Sequence, residues 1–193
     1  MTDMRLGVLA LQGAFREHRR AFERLGATVT EVRLPKHLHE LQGIVVPGGE
    51  STTMARLMAA YGLDKALLDF YREGGAIWGT CAGAIAVSSE IIGHPGQLHL
   101  DLMDISVQRN WYGRQVSSFE ADVDIKGLAR PFHAIFIRAP RIARTGSDVD
   151  VLATYDGDPI MARAERLMAT VFHPELADDD RVHQFFVEDV VER

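Results

Sequence analysis

Three short apolar runs, each closed by a glycine-bearing turn and followed by helix-like sequence, constrain this chain more than any other feature. Residues 6–11 are apolar and end at Gln12-Gly13, Ile44-Val45-Val46 ends at Pro47-Gly48-Gly49, and Ala76-Ile77-Trp78 runs into Gly79-Thr80-Cys81. Runs this short, apolar on both sides, suit strands buried on both faces. Between them, residues 14–25 space Phe15, Ala21, Phe22 and Leu25 at helical intervals, with Gly26 as the stop. A helix follows Pro47-Gly48-Gly49, with Ser51 or Thr52 as its expected cap, another covers residues 63–72, and a third starts at or just after Cys81. A β-branched strand fills 28–34. Buried strands alternating with amphipathic helices predict an α/β fold with a mainly parallel sheet.

The second half reads differently. Residues 104–107, 117–124, 134–138, 149–155, 160–164 and 168–172 are short strand-like segments separated by turns such as Asp156-Gly157, and 182–191 is a closing amphipathic helix. An antiparallel flap or a mixed sheet edge is expected there. No repeat, low-complexity tract or Pro/Gly/Ser-rich linker interrupts the 193 residues, so residues 1–193 read as a single domain.

Composition narrows the function classes. Lys and Arg number 21 against 27 Asp and Glu, a formal charge of −6, which argues against general binding to a phosphate backbone and hence against nucleic acid. No apolar stretch approaches the roughly 20 residues needed to cross a bilayer, and the apolar run near the start is too short for a secretory core. A soluble protein of the reducing cytoplasm is expected. The one cysteine forbids an internal disulfide and fits that setting.

That cysteine lies in Gly79-Thr80-Cys81-Ala82-Gly83, after a buried strand and before a helix. A lone cysteine is commonly a buried packing residue. The small residues at both flanks instead suit a tight strand-to-helix elbow, the geometry that exposes a nucleophile at the carboxyl end of a sheet. A helix amino terminus there favours the thiolate. Cys81 is therefore the expected nucleophile of covalent amide or ester chemistry.

A thiol nucleophile needs a base, usually a histidine oriented by a third group. Two of the eight histidines have a carboxylate two positions on: His173 with Glu175 and His99 with Asp101. Pro174 biases His173 towards extended backbone, where residues i and i+2 share a side. Phe172-His173-Pro174-Glu175 also follows a predicted strand, whereas His99 lies in a loop over 93–101. The pattern favours His173. His18, His37, His39, His94, His133 and His183 read as surface or packing histidines.

Pro47-Gly48-Gly49-Glu50-Ser51-Thr52 ends a second strand and opens a helix. Glycines there let backbone N–H groups approach a ligand, so the N–H of Gly49 and of Ala82 could hold an oxyanion. A phosphate loop and a plain turn are the rival readings. The missing Lys-Ser/Thr pair counts against the phosphate loop.

Together these residues resemble the class I, triad-type glutamine amidotransferases, and more closely the glutaminase subunits of pyridoxal 5′-phosphate synthase. The similarity runs nearly end to end. It includes Leu11-Gln12-Gly13, Pro47 to Thr52, Gly79 to Gly83, Arg109-Asn110 with Gly113-Arg114-Gln115, Phe136 to Pro140, and Phe172 to Leu176. The resemblance implies a flavodoxin-like, three-layer fold with a mainly parallel or mixed central sheet flanked by helices. It implies hydrolysis of L-glutamine to glutamate and ammonia, with the ammonia passed to a synthase subunit in a hetero-oligomer whose glutaminases sit outside a synthase core. Cys81, His173 and Glu175 would form the triad. Gly49, Glu50, Ser51, Arg109, Ile137 and Arg138 would hold glutamine, and Gln12 would lie by the oxyanion loop and the partner interface. No cofactor and no metal is implied. The chain departs from the family pattern at Gln108, at Trp111-Tyr112 and over 93–101, all on the pocket's flanks. Two rivals stay open: a glutaminase of another ammonia-channelling synthase, such as the imidazole glycerol phosphate enzyme, and a catalytically weak interaction subunit.

Overall fold

The computed structural model describes residues 4–111 and 118–192. Gly113-Arg114-Gln115 and the first residue of the strand expected over 117–124 lie outside them.

The three apolar runs become the centre of one sheet. The strands are β1 (Arg5–Leu9), β2 (Thr28–Val32), β3 (Gly43–Val46) and β4 (Ala76–Thr80), joined later by β10 (Asp150–Tyr155), β11 (Asp158–Ala164) and β12 (Leu167–Thr170). Their order is β10-β11-β12-β4-β3-β1-β2. The five strands β12, β4, β3, β1 and β2 run parallel, and β11 and β10 add an antiparallel edge. Every residue of β3, β4 and β12 is buried, as a strand covered on both faces requires.

The helices are α1 (Phe15–Arg24), α2 (Ser51–Ala60), α3 (Leu63–Arg72), α4 (Ala82–Val87) and α5 (Arg181–Phe186). Contacts pair α1 with α5, and α2 with both α3 and α4. The helix expected over 182–191 is α5 continued by a π-helical turn, Val187–Val191. Phe22, Trp78, His183 and Phe186 interlock where α1 and α5 meet the sheet, with ring centroids 5.0 to 6.4 Å apart. Among the described residues no helix is long and apolar enough to cross a membrane.

The second half departs from expectation in detail. Only β10, β11 and β12 join the main sheet. Strands β5 (Ser88–Ile91), β6 (Met103–Gln108) and β9 (Arg141–Thr145) form a three-stranded sheet, and β7 (Ser118–Val123) pairs with β8 (Phe132–Ile137) as a hairpin. Strands β5 and β9 were not foreseen, because Ser88-Ser89-Glu90 and Arg141 to Thr145 lack a continuous apolar run. The cap of α2 is neither Ser51 nor Thr52. It is Glu50, whose carboxylate accepts from the N–H of Thr52 at 3.0 Å and of Thr53 at 2.7 Å.

The elbow explains why its glycines are small. A Cβ on Gly83 would stand 1.9 Å from the carbonyl oxygen of Val46. The first turn of α4 therefore rests directly on the end of β3, and a side chain there would push the two apart. Gly83→Ala should lower stability by about 1–3 kcal/mol, the usual range for overpacking. Gly96→Ala, with nothing within 4 Å of the added methyl, should leave it unchanged. Urea unfolding of both variants measures the difference, and equal midpoints would refute the account.

Candidate active site

The parallel pairing of β3, β4 and β12 sends three consecutive loops to one rim of the sheet. Strand β4 lies between the other two, with Thr80 opposite Thr170 and Gly79 opposite Val46. The residues just beyond these pairs are Cys81, the turn that begins at Pro174, and the loop Pro47-Gly48-Gly49. This is the carboxyl end of the sheet, where open α/β folds bind ligands.

Cys81 caps α4 with φ 49° and ψ −103°, a conformation that L-residues rarely hold. Its N–H donates to Thr170 at 2.8 Å, which ties the elbow to β12. The sulfur lies 4.0 Å from the carbonyl of Ile137. His173 follows β12, and its own N–H donates to Ile135 at 2.8 Å. Its Nδ1 meets Oε1 of buried Glu175 at 2.7 Å, and its ring and Cys81 both pack against Gly48. Burial opposes a proton on this ring. The Cys81 sulfur and the Glu175 carboxylate outweigh it and push its pKa up to about 10. Gly48, in the neighbouring loop, packs directly against the two catalytic candidates. A Cβ there would lie 2.4 Å from His173 Cε1 and 3.3 Å from Cys81 Cβ.

A cavity of about 180 Å³ opens over this group. Its walls include Gly49, Glu50, Ser51, Cys81, Ala82, Arg109, Ile137, Arg138 and His173. Every expected site residue but two thus lines one cavity. The exceptions are Glu175, behind His173, and Gln12, beside the loop. Gln12 grips Glu50 at two points: its Nε2 donates to the Glu50 carbonyl and its Oε1 accepts from the Glu50 N–H, both at 3.2 Å. Ile85, Asn110 and Pro140 also line the cavity and were not anticipated.

Two charged walls face each other. Arg109 places Nη2 3.6 Å from Glu50 Oε1 and donates from Nη1 to Gln97 Oε1 at 2.7 Å. Glu50 accepts from the Thr53 hydroxyl as well as from the two N–H groups of its cap, which together lower its pKa to about 2. It therefore stays anionic beside the cavity. Arg138 holds φ 45° at the end of β8, another strained residue in the wall. Trp111 is half-exposed, with the Arg141 guanidinium 4.6 Å from its ring centroid.

The remaining histidines sort clearly. His99 contacts the carbonyls of Gln97 and Ser89 at 3.0 and 3.1 Å, so it braces a loop away from Cys81. His18 and His183 are packing histidines in the sense that both are fully buried, yet His18 sits directly behind Glu175 and His183 behind His18. The signal for His18 was its position: with Phe15, Phe22 and Leu25 it completes the apolar stripe of α1. A wider cleft of about 700 Å³ lies at the opposite, amino ends of β3, β4 and β12, lined by residues such as Leu38, Gln42, Gly75 and Arg166. It contains none of the chemistry described above.

The fold that carries the elbow, the His-Pro-Glu turn and the glycine loop superposes on solved structures. One, described as the crystal structure of glutamine amidotransferase, superposes with a TM-score of 0.91 at 47% identity, over 95% of this chain and 97% of that one. The PurLQS structure from Thermotoga maritima shares the fold at a TM-score of 0.71 and 16% identity, over 96% and 98% of the two chains. The model of the SNO glutamine amidotransferase family matches residues 8–192, and the chain belongs to that family. It is 54% identical to the pyridoxal 5′-phosphate synthase subunit PdxT of Deinococcus radiodurans, over 95% of this chain and 96% of that protein. It is 50% identical to the PdxT subunit of Thermus thermophilus, over 95% and 96%.

The raised His173 pKa carries a stability consequence. A folded value of about 10 against 6.5 for the free side chain means that the bound proton stabilises fully below about 6.5. That contribution is lost as the pH rises through about 10. Unfolding free energy should therefore fall between these limits more in the wild type than in Cys81→Ala, which lacks the sulfur partner. Urea titrations across that range test this, and parallel curves would refute it.

Proposed function

We propose that this chain is the glutaminase subunit of a pyridoxal 5′-phosphate synthase, with residues 1–193 acting as one unit. The observation that carries the reading is the meeting of Cys81, His173 and Glu175 with the Gly49 loop over one cavity, in a chain about half identical to named PdxT subunits.

In this reading the zwitterionic end of L-glutamine enters between Glu50 and Arg109. The carboxylate takes the substrate ammonium, and the guanidinium takes the α-carboxylate. Backbone groups of Ile137 and Arg138 and the Ser51 region fix the same end. The Cys81 thiolate attacks the side-chain amide carbon. Negative charge gathers on the amide oxygen, where the N–H groups of Gly49 and Ala82 receive it, and losing one such donor typically costs about 10²–10³ in turnover. The His173 imidazolium gives its proton to the leaving nitrogen, and ammonia departs. The γ-glutamyl thioester remains. Water then attacks its carbonyl carbon, losing a proton to His173, and the C–S bond breaks to give glutamate and the thiolate. Glu175 keeps the imidazole oriented throughout.

The ammonia passes to a synthase subunit, which builds pyridoxal 5′-phosphate from ribose 5-phosphate and glyceraldehyde 3-phosphate, so that the assembled enzyme acts as a lyase. The glutaminases dock on the outside of the synthase core. The double hydrogen bond of Gln12 to Glu50 supports partner control, because movement of the loop after β1 would move the oxyanion loop with it.

The test is glutamate release by the purified chain with and without its synthase subunit. Wild type should turn over faster in the complex, and Cys81→Ala should release none under either condition. Undiminished release from Cys81→Ala rejects the nucleophile, and equal wild-type rates with and without the partner reject partner control.

A further inference from the structure

The groups behind Glu175 take no part in the chemistry written above. Glu175 gives Oε1 to His173, but its Oε2 is buried and makes no conventional hydrogen bond among the described residues. His18 Nε2 faces that oxygen at 3.3 Å. The same nitrogen is 3.2 Å from Thr80 Oγ1, and His18 Nδ1 is 2.9 Å from His183 Nε2. Among the described residues His183 Nδ1 is buried without a partner. Trp78 and Phe22 enclose the pair: Trp78 lies edge-on to His18 at 5.4 Å, and Phe22 lies edge-on to His183 at 5.1 Å.

Proton placement decides what this chain of rings can do. Burial above all keeps His18 neutral, with His183 and His173 adding to the effect. Burial likewise lowers His183 to about 3, against a small opposing pull from Asp180. Each ring thus carries one N–H. If His18 is protonated on Nδ1, it donates to His183 Nε2. His183 then holds its proton on Nδ1, where nothing accepts it, and Glu175 Oε2 faces a lone pair. If His18 is protonated on Nε2, that N–H donates to Thr80 Oγ1 with Glu175 Oε2 only 3.3 Å from the same nitrogen, and His183 Nε2–H donates to His18 Nδ1. Only an unprotonated ring nitrogen is then left over. A bare acceptor is tolerated better than a buried unpaired N–H together with an undonated carboxylate.

We infer that His18 is a positioning residue of the triad: its Nε2–H holds Glu175 Oε2, so that Oε1 stays on His173 Nδ1 and fixes the ring that serves Cys81. His18 touches neither the sulfur nor the substrate cavity. The inference rests on the glutaminase reading of Cys81.

The experiment compares glutamate release by the complex with the synthase subunit for wild type, His18→Leu, His18→Asn, His18→Gln and Cys81→Ala. Leucine removes the donor. Asparagine is too short to bring its amide to Glu175, whereas the glutamine amide nitrogen reaches the Nε2 position. Loss of one hydrogen bond to a charged group predicts a kcat lower by about 10- to 100-fold for Leu and Asn, with KM for glutamine within about twofold. Glutamine at this position should restore kcat to within about threefold of wild type. The downfield NMR signal of the proton between His173 and Glu175 should shift or vanish in the Leu and Asn variants and persist in Gln. If His18→Leu fails to fold, the Asn and Gln pair decides. Wild-type kcat in the donor-less variants overturns the inference. So does a kcat loss that glutamine does not restore while the bridging proton stays in place, since that marks a packing role. Release that survives Cys81→Ala rejects the glutaminase reading itself, whatever His18 does.

Discussion

The parallel pairing of β3, β4 and β12 is the constraint on which the rest depends. Parallel neighbours end on the same side, so the loops after them must converge. One loop carries the sulfur, the next the imidazole and its carboxylate, and the third the glycines. None of these segments could reach the others if β4 were an edge strand or ran the other way. The antiparallel strands β10 and β11 extend the sheet beyond β12 and leave that rim unchanged. Covering both faces of β4 buries every residue of the strand, and it also removes water from the rear of the site.

That dryness has an electrostatic consequence. A carboxylate as buried as Glu175 is costly unless donors or a cation compensate it. His173 provides the cation, and the charge of Glu175 in turn helps keep the proton on His173 against the burial that opposes it. The carboxylate is thus more than an orienting group. With the Cys81 sulfur, it helps hold the imidazole in its protonated state against burial. The second oxygen of Glu175 meets only neutral histidine, in a cage of Trp78 and Phe22, so rearrangement there would have to disturb the core.

Much of this was legible in the sequence because it rests on local rules. Glycines flanking a lone cysteine after an apolar run, and a His-Pro-Glu turn after another, mark chain geometry within a few residues. The glycine loop after β3 and the first four strands were legible for the same reason. The cap of α2 was misread. Ser51 and Thr52 are good capping residues, but Glu50 precedes them and reaches two N–H groups and a hydroxyl at once. Strands β5 and β9 were invisible because their partners, not their own pattern, hold them: β5 pairs with β6, and so does β9. His18 and His183 read as packing residues, and neither their contact with each other nor that of His18 with Glu175 is legible, since α1 and α5 are 165 positions apart at these histidines. The narrow motifs that select the glutaminase subfamily did the work that periodicity could not.

The front and the back of the site are built from different materials. Behind Glu175 stand aromatic rings and buried imidazoles, close-packed and without room to move. In front, the oxyanion loop hangs on two hydrogen bonds of 3.2 Å from one side chain, Gln12, and on Ala14 N–H to the carbonyl of Gly48 at 3.3 Å. Neutral hydrogen bonds of this kind contribute about 0.5–1.5 kcal/mol each, a scale at which a docking partner can shift the loop between states. On that scale the packed residues behind Glu175 are held by the core, whereas the glycine loop is tied to the loop after β1 by a few hydrogen bonds. On the proposed glutaminase reading, control therefore falls on the loop beside Gln12, and not on Cys81 or His173.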